Sequence, residues 1–243
     1  MVVAGRFRER GDEDLFGIFD GHGGSRAAIR ASNSIGDALE AALTATSDDA
    51  RAALVQAFGV VHEKIVADLE CGTTALVAYV RGNSLFIAST GDCRAIALSR
   101  DGTWRRVTRD HRPTDPDEAA AVKARGGRIL RGRVGATLGF TRCLGDRDMA
   151  KFLSHEPDVF ELAAAELDML VLACDGVFDF LSDEAVVRVA RSTRHADKAA
   201  KRIRDAALVA QSPDNISVMV VAVAPPPQSA TAATTADVGK QQQ

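Results

Sequence analysis

The sequence predicts a mixed α+β fold, and three observations carry that expectation. Two helix-period segments stand back to back early in the chain, a series of short strand-like segments separated by turn residues follows them, and two further helical segments precede a last apolar strand. Strands joined by two- or three-residue turns pair antiparallel, so the sheet portion is a meander. At 243 residues and 46% hydrophobic content the chain has enough apolar side chains for a substantial core.

The remaining composition limits the partners. A formal charge of −3 creates no field that would recruit nucleic acid or an anionic membrane, and neither is expected as a partner. Cys71, Cys93, Cys143 and Cys174 stand far apart and form no C-x-x-C, which argues against a disulfide framework or a structural zinc site and for reduced, buried thiols. No stretch approaches eighteen consecutive apolar residues and the N-terminus has no signal-peptide core; the expectation is a monomeric intracellular protein, cytoplasmic or nuclear.

Taken in order, residues 1–14 are charged and aperiodic and receive no assignment. Residues 15–19, L-F-G-I-F, are a continuous apolar run without a polar face, which predicts a buried strand that stops at Asp20, Gly21 and His22. Ala27, Ala28, Ile35, Leu39 and Leu43 recur at near-helical spacing over 25–44, and Leu54, Phe58, Val61, Ile65 and Leu69 repeat the pattern after a capping Ser47-Asp48-Asp49. Residues 73–80, 84–89, 94–98 and 104–108 then read as strands. Residues 115–125 read as a helix with Asp115 as cap and Pro116 at its first position, ended by Gly126-Gly127.

The following stretch, through Arg128, Arg131, Arg133, Arg142 and Arg147, is glycine-rich, basic and aperiodic and predicts an excursion over the surface. Residues 169–174 are a second apolar run ending in Asp175-Gly176. Helical patterns fill 183–192 and 196–209, and a last strand covers 216–223, directly after Asp214-Asn215. The domain is expected to span 1–224, and residues 225–243, rich in Pro, Ala, Thr and Gln, to form a disordered tail.

Three apolar strands thus abut Asp20, Asp175 and Asp214. Clustered carboxylates repel one another unless a cation neutralises them, and an all-oxygen set selects Mg²⁺ or Mn²⁺. Two such ions activate water and clamp a phosphoryl group, so no protein nucleophile is needed. His22, two residues after Asp20, offers an imidazole, the side chain that most often serves as general acid, for the leaving oxygen. If a helix begins at Asp175, Asp179 lies one turn on along the same face. Asp92, after Gly91, sits where closing a hairpin turn is the more common job for an aspartate.

These motifs resemble the metal-dependent protein serine/threonine phosphatases of type 2C. The likeness rests on F-D-G-H-G-G at 19–24, G-T-T-A at 72–75, T-G-D-C-R at 90–94, T-R-D-H-R-P at 108–113, T-R-C-L-G-D at 141–146 with E-P-D-V at 156–159, A-C-D-G-V-F-D at 173–179 and D-N-I-S-V at 214–218, all in the family's order. It implies a four-layer sandwich of two antiparallel sheets flanked by helix pairs, with Asp20, the Gly21 carbonyl, Asp175 and Asp214 on two Mn²⁺ or Mg²⁺ ions. It also implies His22 as acid, and Asp92 with Asp179 for a weaker third ion. The activity implied is hydrolysis of phosphoserine and phosphothreonine in phosphoprotein substrates, with residues 128–148 influencing substrate choice.

One departure is expected to matter. The family carries a strand upstream of D-G-H with a phosphate-binding arginine and a Glu-Asp pair, and residues 1–14 contain no recognisable counterpart. Glu13-Asp14 imitates the pair in composition, but an extended run to Asp20 separates the carboxylates by ~20 Å at ~3.3 Å per residue. Arg6, Arg8 and Arg10 read as a solvated basic start. The expectation is a truncated chain, or one that binds metal poorly and serves as a regulatory pseudophosphatase, with the edge of the 15–19 strand exposed.

Overall fold

The computed structural model describes residues 1–223; the expected tail, 225–243, lies outside them. The chain opens with β1 (Val2–Gly5), β2 (Glu13–Ile18) and β3 (Gly21–His22), followed by the helix pair α1 (Arg26–Ala45) and α2 (Ala50–Asp68). The meander comprises β4 (Gly72–Thr73), β5 (Ala75–Arg81), β6 (Ser84–Thr90), β7 (Arg94–Ser99) and β8 (Trp104–Arg106). After α3 (Pro116–Ala124) come the short β9 (Ile129–Leu130), β10 (Arg133–Val134) and β11 (Leu144–Gly145), then β12 (Asp158–Ala163) and β13 (Leu167–Ala173). The last elements are α4 (Asp175–Phe178), α5 (Asp183–Arg191), α6 (Ala196–Val209) and β14 (Val218–Ala222).

Two antiparallel sheets organise these elements. One has the strand order β1-β2-β5-β6-β12 and the other β14-β13-β7-β8. Alternate residues of each central strand serve different interfaces, as the two-residue period of a strand requires. Leu76 and Ala78 of β5, Leu85 and Ile87 of β6, Ala95 and Ala97 of β7 and Leu170 and Leu172 of β13 meet between the sheets. The intervening Val77, Tyr79, Phe86 and Ala88 face α1 and α2, where Ile35, Leu39, Leu54, Phe58, Val61 and Ile65 cover them. On the far side Ile96, Leu98, Met169 and Val171 are covered by Val186, Val187, Ile203 and Ala207 of α5 and α6. Helices, sheet, sheet and helices are therefore the four layers expected. Asp49 and Asp115 cap α2 and α3 as read from the sequence, each accepting from two backbone N–H groups.

Two expectations are corrected. Residues 128–148 are not merely a surface excursion: β9 and β10 pair, β11 joins β4, and Val134, Phe140 and Cys143 close a small core with Val122 and Leu153. The pieces are too short for a period to register in the sequence.

The second correction concerns the N-terminus. A strand does precede the D-G-H turn, since β1 pairs antiparallel with β2 from Val2↔Gly17 to Gly5↔Asp14 and covers the edge expected to be open. The connection carries Arg6, Arg8 and Glu9 at positive φ, a conformation that non-glycine residues seldom signal. Arg8 is no solvated cation: its Nε and Nη2 donate to Glu13 at 2.9 and 2.7 Å, and its side chain is only 10% exposed. The Tyr79 hydroxyl donates to the same carboxylate at 2.9 Å, Arg10 adds a contact at 3.2 Å, and the Phe7 ring lies edge-on to Tyr79. Glu13 is thus a buried structural anion at the end of β2 remote from Asp20, and Asp14 accepts from the Arg6 N–H.

Burial alone would raise the Glu13 carboxyl, but the hydrogen bonds from Arg8 and Tyr79 outweigh it and hold the group below its ordinary 4.5. A depressed carboxylate contributes stability above its unfolded pKa and loses it as pH falls through the folded value. Glu13→Gln leaves Arg8 without its buried counter-charge and should cost on the order of 3 kcal/mol at pH 7. Urea melts from pH 7 to 3 should show a shallower decline below pH 4.5 for the variant than for the parent; identical slopes would remove Glu13 from this role.

Candidate active site

The site is built where the G-T-T-A segment crosses the turn after β2. The Thr74 N–H and the Thr73 hydroxyl both donate to the Asp20 carbonyl, at 2.9 and 3.0 Å, and the Asp20 N–H donates to the Thr74 hydroxyl at 3.2 Å. With its backbone held on both sides, the Asp20 carboxylate has little choice of direction. The Cys93 thiol lies 3.2 Å from the same Thr74 hydroxyl, which joins the T-G-D-C-R turn to this anchor.

Asp175 arrives from the opposite sheet as the first residue of α4, with Asp179 closing that turn, as the sequence expectation of a helix start required. The D-G and D-N turns pack backbone to backbone: a Cβ on Gly176 would strike the Asn215 carbonyl, and the Ser212 hydroxyl donates to the Gly176 carbonyl at 2.7 Å. Asp214 is brought beside Asp175 by this packing. Ligand atoms of Asp20, Cys174 and Asp175 lie within 4.8 Å of one another. Burial first, and then the charges of Asp175 and Asp214, push the Asp20 carboxyl up to about 7; burial and Asp214 raise Asp175 as well. The oxygens of Asp20, Asp175 and Asp214 therefore suit a hard divalent cation, which removes the repulsion that protonation would otherwise relieve.

Asp92 and Asp179 have a different neighbour. Arg112 reaches between them, with Nη2 3.2 Å from Asp92 and 2.7 Å from Asp179. Burial and the Asp175 charge still push Asp92 up to about 7 against the pull of Arg112. Arg112 stands in the T-R-D-H-R-P segment quoted above, but nothing local in that sequence points it at carboxylates 20 and 67 residues away.

His22 is positioned from three sides. It pairs with Gly72 across β3 and β4, and Gly145 of β11 pairs with Gly72 on the other edge. A Cβ on Gly72 would lie 2.5 Å from His22 Nε2, so only glycine leaves room for the ring. Asp146, at φ 60°, then turns its carboxylate to within 2.7 Å of His22 Nε2, and the Phe140 ring packs 4.7 Å from the imidazole. Among the described residues Nδ1 is buried without a partner. Sequence reasoning found His22 and missed Asp146, whose only signal was its place after glycine in L-G-D.

The loops around these residues are pinned by a buried polar network. His111 Nδ1 accepts from the Gly91 N–H at 3.1 Å, so Nε2 carries the proton donated to Asp158 at 3.1 Å. Arg142 donates to Asp158 and to Glu118, and the Thr141 hydroxyl to Glu118. Arg142 and Thr141 overcome burial and hold Glu118 at about 2, so the flap is tied to the Gly91-Asp92 turn by ionised groups.

The fold is shared with solved structures. A serine-threonine phosphatase 2C from Toxoplasma gondii has a TM-score of 0.78 at 21% identity, over 88% of this chain and 85% of that one. A C. elegans sex-determining protein has a TM-score of 0.81 at 24% identity, over 91% of this chain and 59% of that one.

The chain belongs to the protein phosphatase 2C family, whose model matches residues 4–216. Its relatives include a "Probable protein phosphatase 2C 45" of Oryza sativa subsp. japonica, 32% identical over 85% of this chain and 76% of that protein. A "Probable protein phosphatase 2C 76" of Arabidopsis thaliana is 35% identical over 85% of this chain and 51% of its own length. The chain spans between about half and three-quarters of the curated relatives it matches.

Gly72→Ala tests the placement of His22. The added methyl group should push the ring off Asp146, and the imidazole nitrogen signals of His22 in ¹⁵N spectra should move to those of an unpartnered ring. An unchanged His22 signal would show that the ring does not depend on this close approach.

Proposed function

We propose that this chain hydrolyses phosphoserine and phosphothreonine esters of protein substrates in a reaction that requires divalent ions. The observation that carries the reading is the convergence of Asp20 and Asp175, with the Asp214 charge acting on both, near an imidazole held by its own carboxylate, and membership of the phosphatase family supports it. Asp20, Asp175 and Asp214, with the Gly21 carbonyl, are the proposed ligands. Two Mn²⁺ or Mg²⁺ ions on these oxygens would supply an activated water and neutralise the phosphoryl oxygens. Asp92 and Asp179 can serve a weaker third ion only when Arg112 swings away from them.

The chain's own groups do the rest. Asp146 accepts from Nε2 of His22 and stabilises the imidazolium, which leaves the transferable proton on Nδ1, the ring nitrogen without a partner. The Phe140 ring packs 4.7 Å from the imidazole and restricts its orientation.

A second reading is a regulatory pseudophosphatase. It is favoured by Glu13, which is consumed by Arg8 and Tyr79, so that among the described residues no Glu-Asp pair stands beside Asp20. Phosphate release from a phosphothreonine peptide separates the two. Release should need Mn²⁺ or Mg²⁺ and stop with chelator; full activity after exhaustive chelation overturns the metal dependence, and peptide binding without turnover favours the second reading.

Two variants divide the roles. Asp175→Asn should weaken Mn²⁺ binding in calorimetry, whereas His22→Ala should bind Mn²⁺ as the parent does and lose roughly 10²–10⁴-fold in turnover on a phosphothreonine peptide. The His22→Ala loss should be smaller on p-nitrophenyl phosphate, whose leaving group needs no proton. Equal losses on both substrates would remove His22 as the acid.

A further inference from the structure

Beside the carboxylate cluster the fold assembles a second set of donors of different chemistry. A ring nitrogen of His22, Cys143 Sγ and an Asp146 carboxylate oxygen all lie within 4.8 Å of one another. The imidazole is 2.7 Å from the carboxylate and the thiol 3.8 Å from the same Oδ2. Two of the three come from one tight segment, since Cys143 and Asp146 flank β11, and the third crosses from β3 by way of Gly72. The thiol is 1% exposed, and the Phe140 ring packs against the imidazole, so the trio sits out of bulk water with an opening on the His22 and Asp146 side. The absence of any C-x-x-C hid this set in the sequence, because its third member lies 121 residues before Cys143.

From this geometry we infer an inhibitory site for a borderline-soft cation, Zn²⁺ above all, with His22 Nε2, Cys143 Sγ and Asp146 as its three protein ligands and water or substrate oxygen as the fourth. Nitrogen, thiolate sulfur and one carboxylate oxygen are the donors tetrahedral zinc takes, at about 2.0–2.3 Å each. At those lengths a tetrahedral centre sets nitrogen and oxygen about 3.3 Å apart and sulfur and oxygen about 3.6 Å apart, so the 2.7 Å pair opens and the 3.8 Å pair closes slightly. Mg²⁺ and Mn²⁺ prefer all-oxygen donors, so the two neighbouring sites sort cations by softness. On binding, the Cys143 thiol loses its proton to solvent, and any proton on Nε2 leaves with it. Burial and Asp146 push that thiol well above its ordinary pKa, so a cation must bind sulfur strongly to take the proton's place.

The functional consequence rests on the reading of His22 as the acid. An imidazole whose Nε2 lone pair is held by Zn²⁺ cannot be an imidazolium, and its remaining N–H is a far weaker general acid than the imidazolium it replaces. Zinc would therefore stop the chemical step while the Mn²⁺ or Mg²⁺ ligands Asp20, Asp175 and Asp214 stay untouched.

The test uses Co²⁺ as a spectroscopic substitute for Zn²⁺ on the full chain, so that the site is read without activity. Co²⁺ should produce a near-ultraviolet thiolate-to-cobalt charge-transfer band, Zn²⁺ should abolish it by displacement, and Cys143→Ser should lack it. Cys174→Ser should retain the band, which assigns it away from the thiol beside Asp20 and Asp175. In the turnover assay Cys143→Ser should keep Mn²⁺-dependent activity and lose sensitivity to Zn²⁺ by no less than the roughly 10–100-fold that removal of an outer-shell partner costs other metal sites. No band with Co²⁺, or a band that survives Cys143→Ser, overturns the site. A Cys143-dependent band displaced by Zn²⁺ with no inhibition keeps the site and overturns the role of His22 as acid. Should Cys143→Ser fail to fold, Asp146→Asn in the intact thiol background should still weaken the band, and an unaltered Co²⁺ titration in that variant overturns the proposal.

Discussion

Carboxylates forced together at the end of a sandwich repel one another, and the surrounding chain is shaped to keep them there. Asp20 cannot retreat because Thr73 and Thr74 grip its backbone on both sides. Asp175 is held because the Gly176 turn is pressed against Asn215 and Ser212. Every one of these restraints is a hydrogen bond or a backbone approach between distant segments, so the repulsion is borne by the packing of the two sheets. Where the chain supplies a counter-charge it does so for part of the cluster only: Arg112 bridges Asp92 and Asp179, while among the described residues no Lys or Arg forms an ion pair with Asp20, Asp175 or Asp214. The division separates carboxylates with a cation of their own from carboxylates that must find one.

Glycine at close crossings governs the second half of the site. Gly72 is flanked by His22 and Gly145, and removing its side chain is what allows an imidazole and the left-handed Gly145-Asp146 turn to meet over one strand. The same crossing brings Cys143 within range. An imidazole, its carboxylate partner and a thiol are therefore consequences of one backbone approach.

Much of this was legible in the sequence where a signal was local. The helix pair, the meander, the capping aspartates and the apolar runs ending at Asp20 and Asp175 are written in periods of 3.6 and 2, and the structure repeats them nearly residue for residue. What escaped depends on partners far away in sequence. The N-terminal hairpin turns through arginines at positive φ, stabilised by Glu13 and by Tyr79, 66 residues beyond that glutamate. Asp146 gains its role only from His22, 124 residues earlier, and Arg112 only from Asp92 and Asp179. Short strands such as β9, β10 and β11 left no period to read, and their small core around Phe140 and Val134 is assembled from single residues.

The strand order has a kinetic consequence. β12 completes the first sheet by pairing with β6, Asp158 opposite Ser89, and β13 joins β7 with Ala173 opposite Arg94, so each sheet closes over a loop of many tens of residues. Such non-local pairings form late, after the helix pair and the β5-β6 hairpin, whose contacts are local. Asp20 and Asp175 follow strands of different sheets, so the carboxylate cluster requires both sheets to be packed together. An ion that binds only the finished cluster gives no help to nucleation; it acts afterwards, by slowing escape from the native state.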